Sequence, residues 1–172
     1  PDSDISEKPN VAFSAVRACF HLSGLDEEHF GTAAWNPLGT VINAGETVLL
    51  KPNLIKESHP RDPSGWKYVM THGSIIRAVA DYVGKAVGPE GKIIVADAPQ
   101  TDSSFLEISK VLGLDAIEQY FRSKDLHFEI RDLRKEEWTS RDQVIVDRRT
   151  LDGDVDGYVA FDLADHSEFV NH

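Results

Sequence analysis

Apolar and polar positions along this chain follow two rhythms, and the rhythms divide it into elements. From Val11 to Leu22 the apolar residues Val11, Ala12, Ala15, Val16, Cys19 and Phe20 recur at helical spacing. Asn10 stands at the N-cap position and Gly24 just past the end, so a helix is expected over 11–22. Thr47 to Lys51 is a short apolar run closed by Lys51-Pro52-Asn53, which reads as a buried strand stopped by a proline that has no N–H to give. Ile75, Ile76, Val79, Ala80, Val83, Ala86 and Val87 return to helical spacing until Gly88-Pro89-Glu90-Gly91 ends the pattern. Lys92 to Asp97 is a second buried strand. A helix starting at Ser103 or Ser104 and running to Leu112 is broken by Gly113, and another covers Asp115 to Lys124. His127 to Arg131 is a third strand.

Strands that alternate with helices imply a parallel sheet with crossover connections. The last third changes period. Gln143 to Arg148 and Tyr158 to Leu163 alternate like strands, with the Asp/Gly-rich stretch Leu151–Gly157 between them. They read as an antiparallel hairpin with 151–157 as its turn. The expected architecture is an α/β, three-layer domain with a mainly parallel central sheet and an appended antiparallel hairpin. A flexible N-terminal segment is expected over 1–10, and a single α/β domain over 11–172. The irregular stretch 25–39 contains Trp35-Asn36-Pro37-Leu38-Gly39, a turn whose Trp packs on the fold.

Composition narrows the classes. The chain has 172 residues, 41% of them hydrophobic, and a net charge of −11. Such acidity argues against nucleic acid and anionic membranes as partners, while leaving room for a local basic pocket. No run reaches the roughly 18 apolar residues of a membrane span. The one cysteine, Cys19, supports neither a disulfide framework nor a cysteine-rich metal centre, and it reads as a small buried residue. A reducing, cytoplasmic location is compatible with this.

Candidate chemistry gathers behind the strands. In open α/β sheets ligands sit beyond the carboxyl ends of the strands. Lys51 and Asn53 follow the first strand; Asp97, Thr101, Asp102, Ser103 and Ser104 follow the second. Lys51, the Ser103 and Ser104 hydroxyls and a helix N-terminus would suit a small anionic molecule. Thr71-His72 opens the strongest helix and adds a candidate acid, base or donor. The alternative is architectural: Ser103 caps the helix, Asp97 bonds loop backbone and Lys51 pairs with Asp97. The long polar connection from Lys56 to Thr71 is of a length often used for binding loops. His59 within it could join His72 at a metal, though no ligand-spacing motif supports that. Asp152-Gly153-Asp154-Val155-Asp156-Gly157 matches the first half of a calcium loop, but Leu163 stands where the bidentate Glu is required.

The run Val48-Leu49-Leu50-Lys51-Pro52-Asn53-Leu54, then Thr71-His72, then Ile93-Ile94-Val95-Ala96-Asp97-Ala98-Pro99 resembles the N-terminal part of the DUF362 family over about Val11 to Phe169. Trp35–Gly39 is similar to the branch found near polysaccharide-biosynthesis genes. The resemblance implies an α/β domain of unsettled biochemistry. Its motif positions here are Lys51, Pro52, Asn53, Thr71, His72 and Asp97. Some relatives carry ferredoxin-like 4Fe–4S modules. A single cysteine does not support that cluster, so no cofactor is expected in this chain. Family members continue into a C-terminal half with Lys-x-His and Lys-Asn motifs. That half is expected to be a missing partner of the same protein. Two functions are therefore weighed: an anionic-ligand site at the sheet edge, or a non-catalytic binding or scaffold module.

Overall fold

The structure is a computed structural model that describes residues 9–58, 61–142 and 144–167. The expected flexible segment 1–10 lies, except for Pro9 and Asn10, outside the described residues, as does His59.

Helix α1 spans Val11–Leu22, with the Asn10 side chain accepting from Ala12 N at 2.9 Å. Strand β1 is Thr47–Leu50, helix α2 Gly73–Val87, strand β2 Lys92–Asp97, helix α3 Phe105–Leu112, helix α4 Leu114–Arg122 and strand β3 His127–Asp132. The strands form a three-stranded sheet in the order β1-β2-β3, parallel throughout. The register places Val48 beside Ile93 and Phe128, and Leu50 beside Val95 and Ile130. Side chains alternate across a strand, so these six share one face. With Ile76, Ala80 and Val83 of α2, Ile108 and Leu112 of α3, and Ile117 and Phe121 of α4 they build the core. The opposite face carries Lys92, Glu129 and Arg131, and the segment after the hairpin is fastened there by Arg131 to Asp154 (3.1 Å) and Asp156 (2.6 Å).

The hairpin exists, but with a different partner strand. Strand β4, Glu136–Arg141, pairs antiparallel with β5, Val144–Thr150. Asp142, which follows β4, adopts a left-handed φ of 50°, and Gln143, where the second strand was expected to begin, lies outside the described residues. Glu136-Glu137-Trp138-Thr139-Ser140-Arg141 shows no apolar alternation because neither face of this ribbon meets the core. Its side chains pair mainly with one another, Arg149 with Glu137 at 2.5 Å and Arg148 over the Trp138 ring at 4.7 Å, and Glu137 also meets Arg134 at 3.5 Å. Tyr158–Leu163 forms no strand, and 151–157 is not a hairpin turn. Asp154 and Asp156 are held by Arg131, and Tyr158 Oη donates to Leu133 O at 2.8 Å, which steers the following residues away from β5.

Cys19 is exposed, not buried. The buried stripe of α1 runs through Ala12 and Val16, and Phe20 continues it edge-on to Tyr82 at 5.1 Å, leaving Cys19 beside it. Trp35 packs as expected, against Phe30 and Tyr82, with Arg17 lying over both Phe30 and Trp35. Its indole donates to Leu25 O at 3.0 Å.

The same loop is tied by Asp26, which accepts from Asn36 N at 2.6 Å and from the His29 ring at 2.5 Å. The Asn36 hydrogen bond, then His29, holds the Asp26 carboxyl below its ordinary value, and the Asp26 hydrogen bond raises His29 above its own. The histidine contribution is complete below the ordinary histidine pKa and is lost as pH rises through the raised folded value. The aspartate contribution is lost as pH falls through the depressed one. An NMR titration of the His29 ring should give a midpoint above that of an unstructured histidine, and Asp26→Asn should bring it back. An unchanged midpoint in Asp26→Asn would contradict the pairing.

Candidate functional site

Beyond the carboxyl ends of β1 and β2 the chain makes a dense polar knot. Pro52 is buried and ends β1 because it has nothing to donate to the ladder. Asn53 and Thr71 then bond reciprocally: Asn53 N donates to Thr71 Oγ1 at 3.0 Å and Thr71 N to Asn53 O at 2.8 Å. Leu54, fully buried, donates its N–H to Asp97 Oδ2 at 2.8 Å. The other Asp97 oxygen takes the Lys51 ammonium at 2.9 Å. Lys51 Nζ also donates to Asn53 Oδ1 and Pro52 O, each at 3.2 Å. The Asp97 side chain is 8% exposed and that of Lys51 58%, so the carboxylate is the buried member of the pair.

His72 is itself the N-cap of α2. Its Nδ1 accepts from Ser74 N at 3.2 Å and lies 2.8 Å from Ser74 Oγ, while the ring stacks on Trp66 at 6.0 Å. Nδ1 therefore serves as an acceptor, and Nε2 has no hydrogen-bond partner among the described residues. Thr71 joins His72 directly to the Lys51–Asn53 group.

Ser103 and Ser104 belong to a neighbouring cluster. Ser104 caps α3, accepting from Glu107 N at 3.3 Å, and its own N–H donates to Glu57 Oε2 at 3.1 Å. Ser103 is buried and donates to Gln100 O at 2.6 Å, so it does not cap the helix. A carboxylate of the same chain thus sits at the α3 N-terminus. Lys56 pairs with Asp102 alongside it. Lys56 and Glu57 clasp the loop after β1 onto the loop after β2, and Gln100 N donates to Ile55 O at 2.9 Å between them.

Arg134 organises this side, and nothing in the local pattern announces it. Its side chain is 3% exposed. It bonds Asp132 through Nε and Nη2, at 2.9 and 2.7 Å, and donates from Nη1 to Gln100 O (3.0 Å) and Ser103 O (2.8 Å). Burial opposes its charge, but the hydrogen bonds and charges of Asp132 and Glu137 outweigh burial, so the guanidinium is held charged beyond its ordinary range. Its signal lay in tertiary proximity: the end of β3 meets the β2–α3 loop, which no periodicity encodes.

Among the described residues no group of three or more His, Cys, Asp or Glu is placed to hold a metal ion. Asp154 and Asp156 are engaged by Arg131, which lowers the Asp156 carboxyl. A 4Fe–4S cluster draws on about four thiolates, and the chain offers only Cys19, so its residues do not fit that group. A cavity of about 560 Å³ opens at the opposite end of the sheet, beside Lys92, Arg122, His127 and Glu129. Its cations are paired, Lys92 with Glu129 and Arg122 with Glu118.

A family model described as "Domain of unknown function (DUF362)" matches residues 48–152. That span holds β1, the knot, α2, β2, α3, α4, β3 and the hairpin, and is narrower than the resemblance read over 11–169. No curated protein and no solved structure matches the chain.

Proposed function

The chain belongs to the DUF362 family, and from that premise we propose that it is a non-catalytic binding or scaffold module whose family-motif residues are architectural. One observation carries this reading. An ammonium has three N–H donors, and Lys51 has three acceptors within the chain: Asp97, Asn53 and Pro52. The anion position at the α3 N-terminus is likewise taken by Glu57. Lys51-Pro52-Asn53, Thr71-His72 and Asp97 then form one stitch: Asp97 holds the turn after β1 through Leu54 N, and Thr71 holds it from the start of α2.

A double-mutant cycle on Lys51 and Asp97 tests it. Asp97→Ala strands the buried Leu54 N–H and should cost about 1–3 kcal/mol in denaturant unfolding. Lys51→Met should cost less, with a coupling of at most about 1 kcal/mol, because the lysine is more than half exposed. Asp97→Ala as stable as wild type would sink the architectural reading.

A second reading keeps one specific support. The Lys51 side chain remains 58% exposed, and His72 Nε2 is without a partner among the described residues. A small anion could recruit both together with the Asn53 amide. The similarity of Trp35–Gly39 to the polysaccharide-biosynthesis branch makes a sugar phosphate the first anion to try. A cytoplasmic setting fits both readings, since an exposed lone thiol persists in a reducing compartment.

A further inference from the structure

The chain has two Asp–Gly pairs, Asp152-Gly153 and Asp156-Gly157, both in the segment that Arg131 fastens to the sheet. Glycine has no Cβ to shield its own nitrogen, so that nitrogen can approach the carboxyl carbon of the preceding aspartate closely enough to close a ring. The structure gives the two pairs opposite surroundings. At Asp156 both reacting groups are engaged. Its carboxylate takes the Arg131 guanidinium at 2.6 Å, and Gly157 N donates to Asp154 O at 3.0 Å. The Arg131 hydrogen bond also holds the Asp156 carboxyl below its ordinary value, and an ionised carboxylate gives up an oxygen less readily than the acid. At Asp152 neither group is engaged. The residue is exposed, and among the described residues its carboxylate and the Gly153 N–H have no partner.

We propose that Asp152 is a site of spontaneous isomerisation to isoaspartate, and that its contacts protect Asp156 from the same reaction. Gly153 N attacks Asp152 Cγ and forms the new N–Cγ bond. One carboxyl oxygen leaves as water, taking the amide proton and a proton from solvent, and a five-membered succinimide remains. Water then opens the ring. Addition at Cγ restores aspartate. Addition at the Asp152 main-chain carbonyl leaves the chain running through Cβ and Cγ, with the α-carboxylate as the new side group. The water lost is regained, so mass and charge are unchanged. The product has one more main-chain carbon between two fixed points, Leu151 N on Lys135 O at 2.9 Å and Asp154 N on Tyr158 Oη at 3.0 Å. Gly153 is already packed on Tyr158, where an added Cβ would lie 2.6 Å from Oη. The longer chain therefore displaces Asp154 from Tyr158 and from Arg131, and loosens the segment from β3.

Ageing the folded protein in heavy-oxygen water at neutral pH tests the proposal, because each ring opening leaves one heavy oxygen behind. Cleavage after Arg149 then releases residues 150–172, which hold both pairs. Electron-transfer fragmentation of that peptide reads the label and the β-linkage at each aspartate. Asp152 should carry more label than Asp156 by about fivefold or more, the combined effect on the barrier of an exposed ion pair and one backbone hydrogen bond. In guanidinium chloride, where the fold is lost, the two pairs should label alike. Arg131→Met should raise the label at Asp156 in the folded chain. Hydrogen exchange at the Asp154 amide should be faster in the isomerised fraction. Equal labelling of the two pairs in folded protein would overturn the proposal, as would label mainly at Asp156. Label at neither, with both labelled in guanidinium chloride, would overturn it by showing that the fold shields Asp152 as well. A folded Arg131→Met protein that labels Asp156 no faster would overturn the protective role of the guanidinium.

Discussion

Replacing Arg134 with methionine is expected to destabilise the protein by about 3–5 kcal/mol, the cost of removing one partner from a buried ionic pair. The guanidinium joins three parts of the chain. Asp132 ends β3, Gln100 and Ser103 lie in the β2–α3 loop, and Glu137 begins the hairpin. Methionine fills much of the volume but satisfies none of these acceptors. The Gln100 and Ser103 carbonyls lose a donor, and the Asp132 carboxylate, 20% exposed, loses its counter-ion. Trp138 N still donates to Thr101 O at 2.7 Å, so the hairpin keeps one backbone tether. Arg134→Lys should recover only part of the loss, because an ammonium cannot reproduce the forked contact with Asp132. Urea denaturation of the three proteins measures this. A loss below about 1 kcal/mol in Arg134→Met would place the guanidinium outside the stability of the fold.

Gly73→Ala should also be damaging, through sterics alone. An alanine Cβ at this position would lie 2.0 Å from Leu112 O, so the first turn of α2 and the last of α3 touch backbone to backbone. The obstacle is a carbonyl, not the end of a flexible side chain, so one of two helices must move. Overpacking of this kind costs about 1–3 kcal/mol and occasionally more. The change falls where His72 caps α2, so it should also disturb the Asn53–Thr71 bonds. Gly88→Ala is the control. Its φ is +68° but no atom lies within 4 Å of the new Cβ, so it should cost only the left-handed backbone penalty, about 1–2 kcal/mol. A Gly73→Ala protein as stable as Gly88→Ala would mean that the helices separate easily.

The sheet edge was legible in the sequence because its physics is local. An apolar run that ends in a lysine and a proline must stop there, and β1 does so beside β2, with Lys51 and Asp97 in contact, although β1 is a half-exposed edge strand in which Leu49 faces water and not the buried strand expected. The helices were legible for the same reason, through spacing and caps, although α2 is capped by the His72 ring and not by a hydroxyl or carboxylate side chain. What escaped depends on distant partners. Arg134 and Glu57 gain their roles only when loops separated by tens of residues meet. β4 escaped because a ribbon with both faces in water needs no apolar alternation, whereas Tyr158–Leu163 has the alternation but lacks a partner strand. Cys19 lay one position from the buried stripe of α1, within the tolerance of a helical period of about 3.6.

The architectural account of the knot is tested most directly by titrating the protein with inorganic phosphate, sulfate and a hexose phosphate in a calorimeter, at constant ionic strength so that screening is not mistaken for binding. With Lys51 engaged by Asp97, Asn53 and Pro52, the account predicts no saturable heat up to about 10 mM for any of the three, in wild type or in Lys51→Met. A saturable isotherm in the wild type that disappears in Lys51→Met, in a variant that still folds, would contradict it and establish the sheet edge as an anion site.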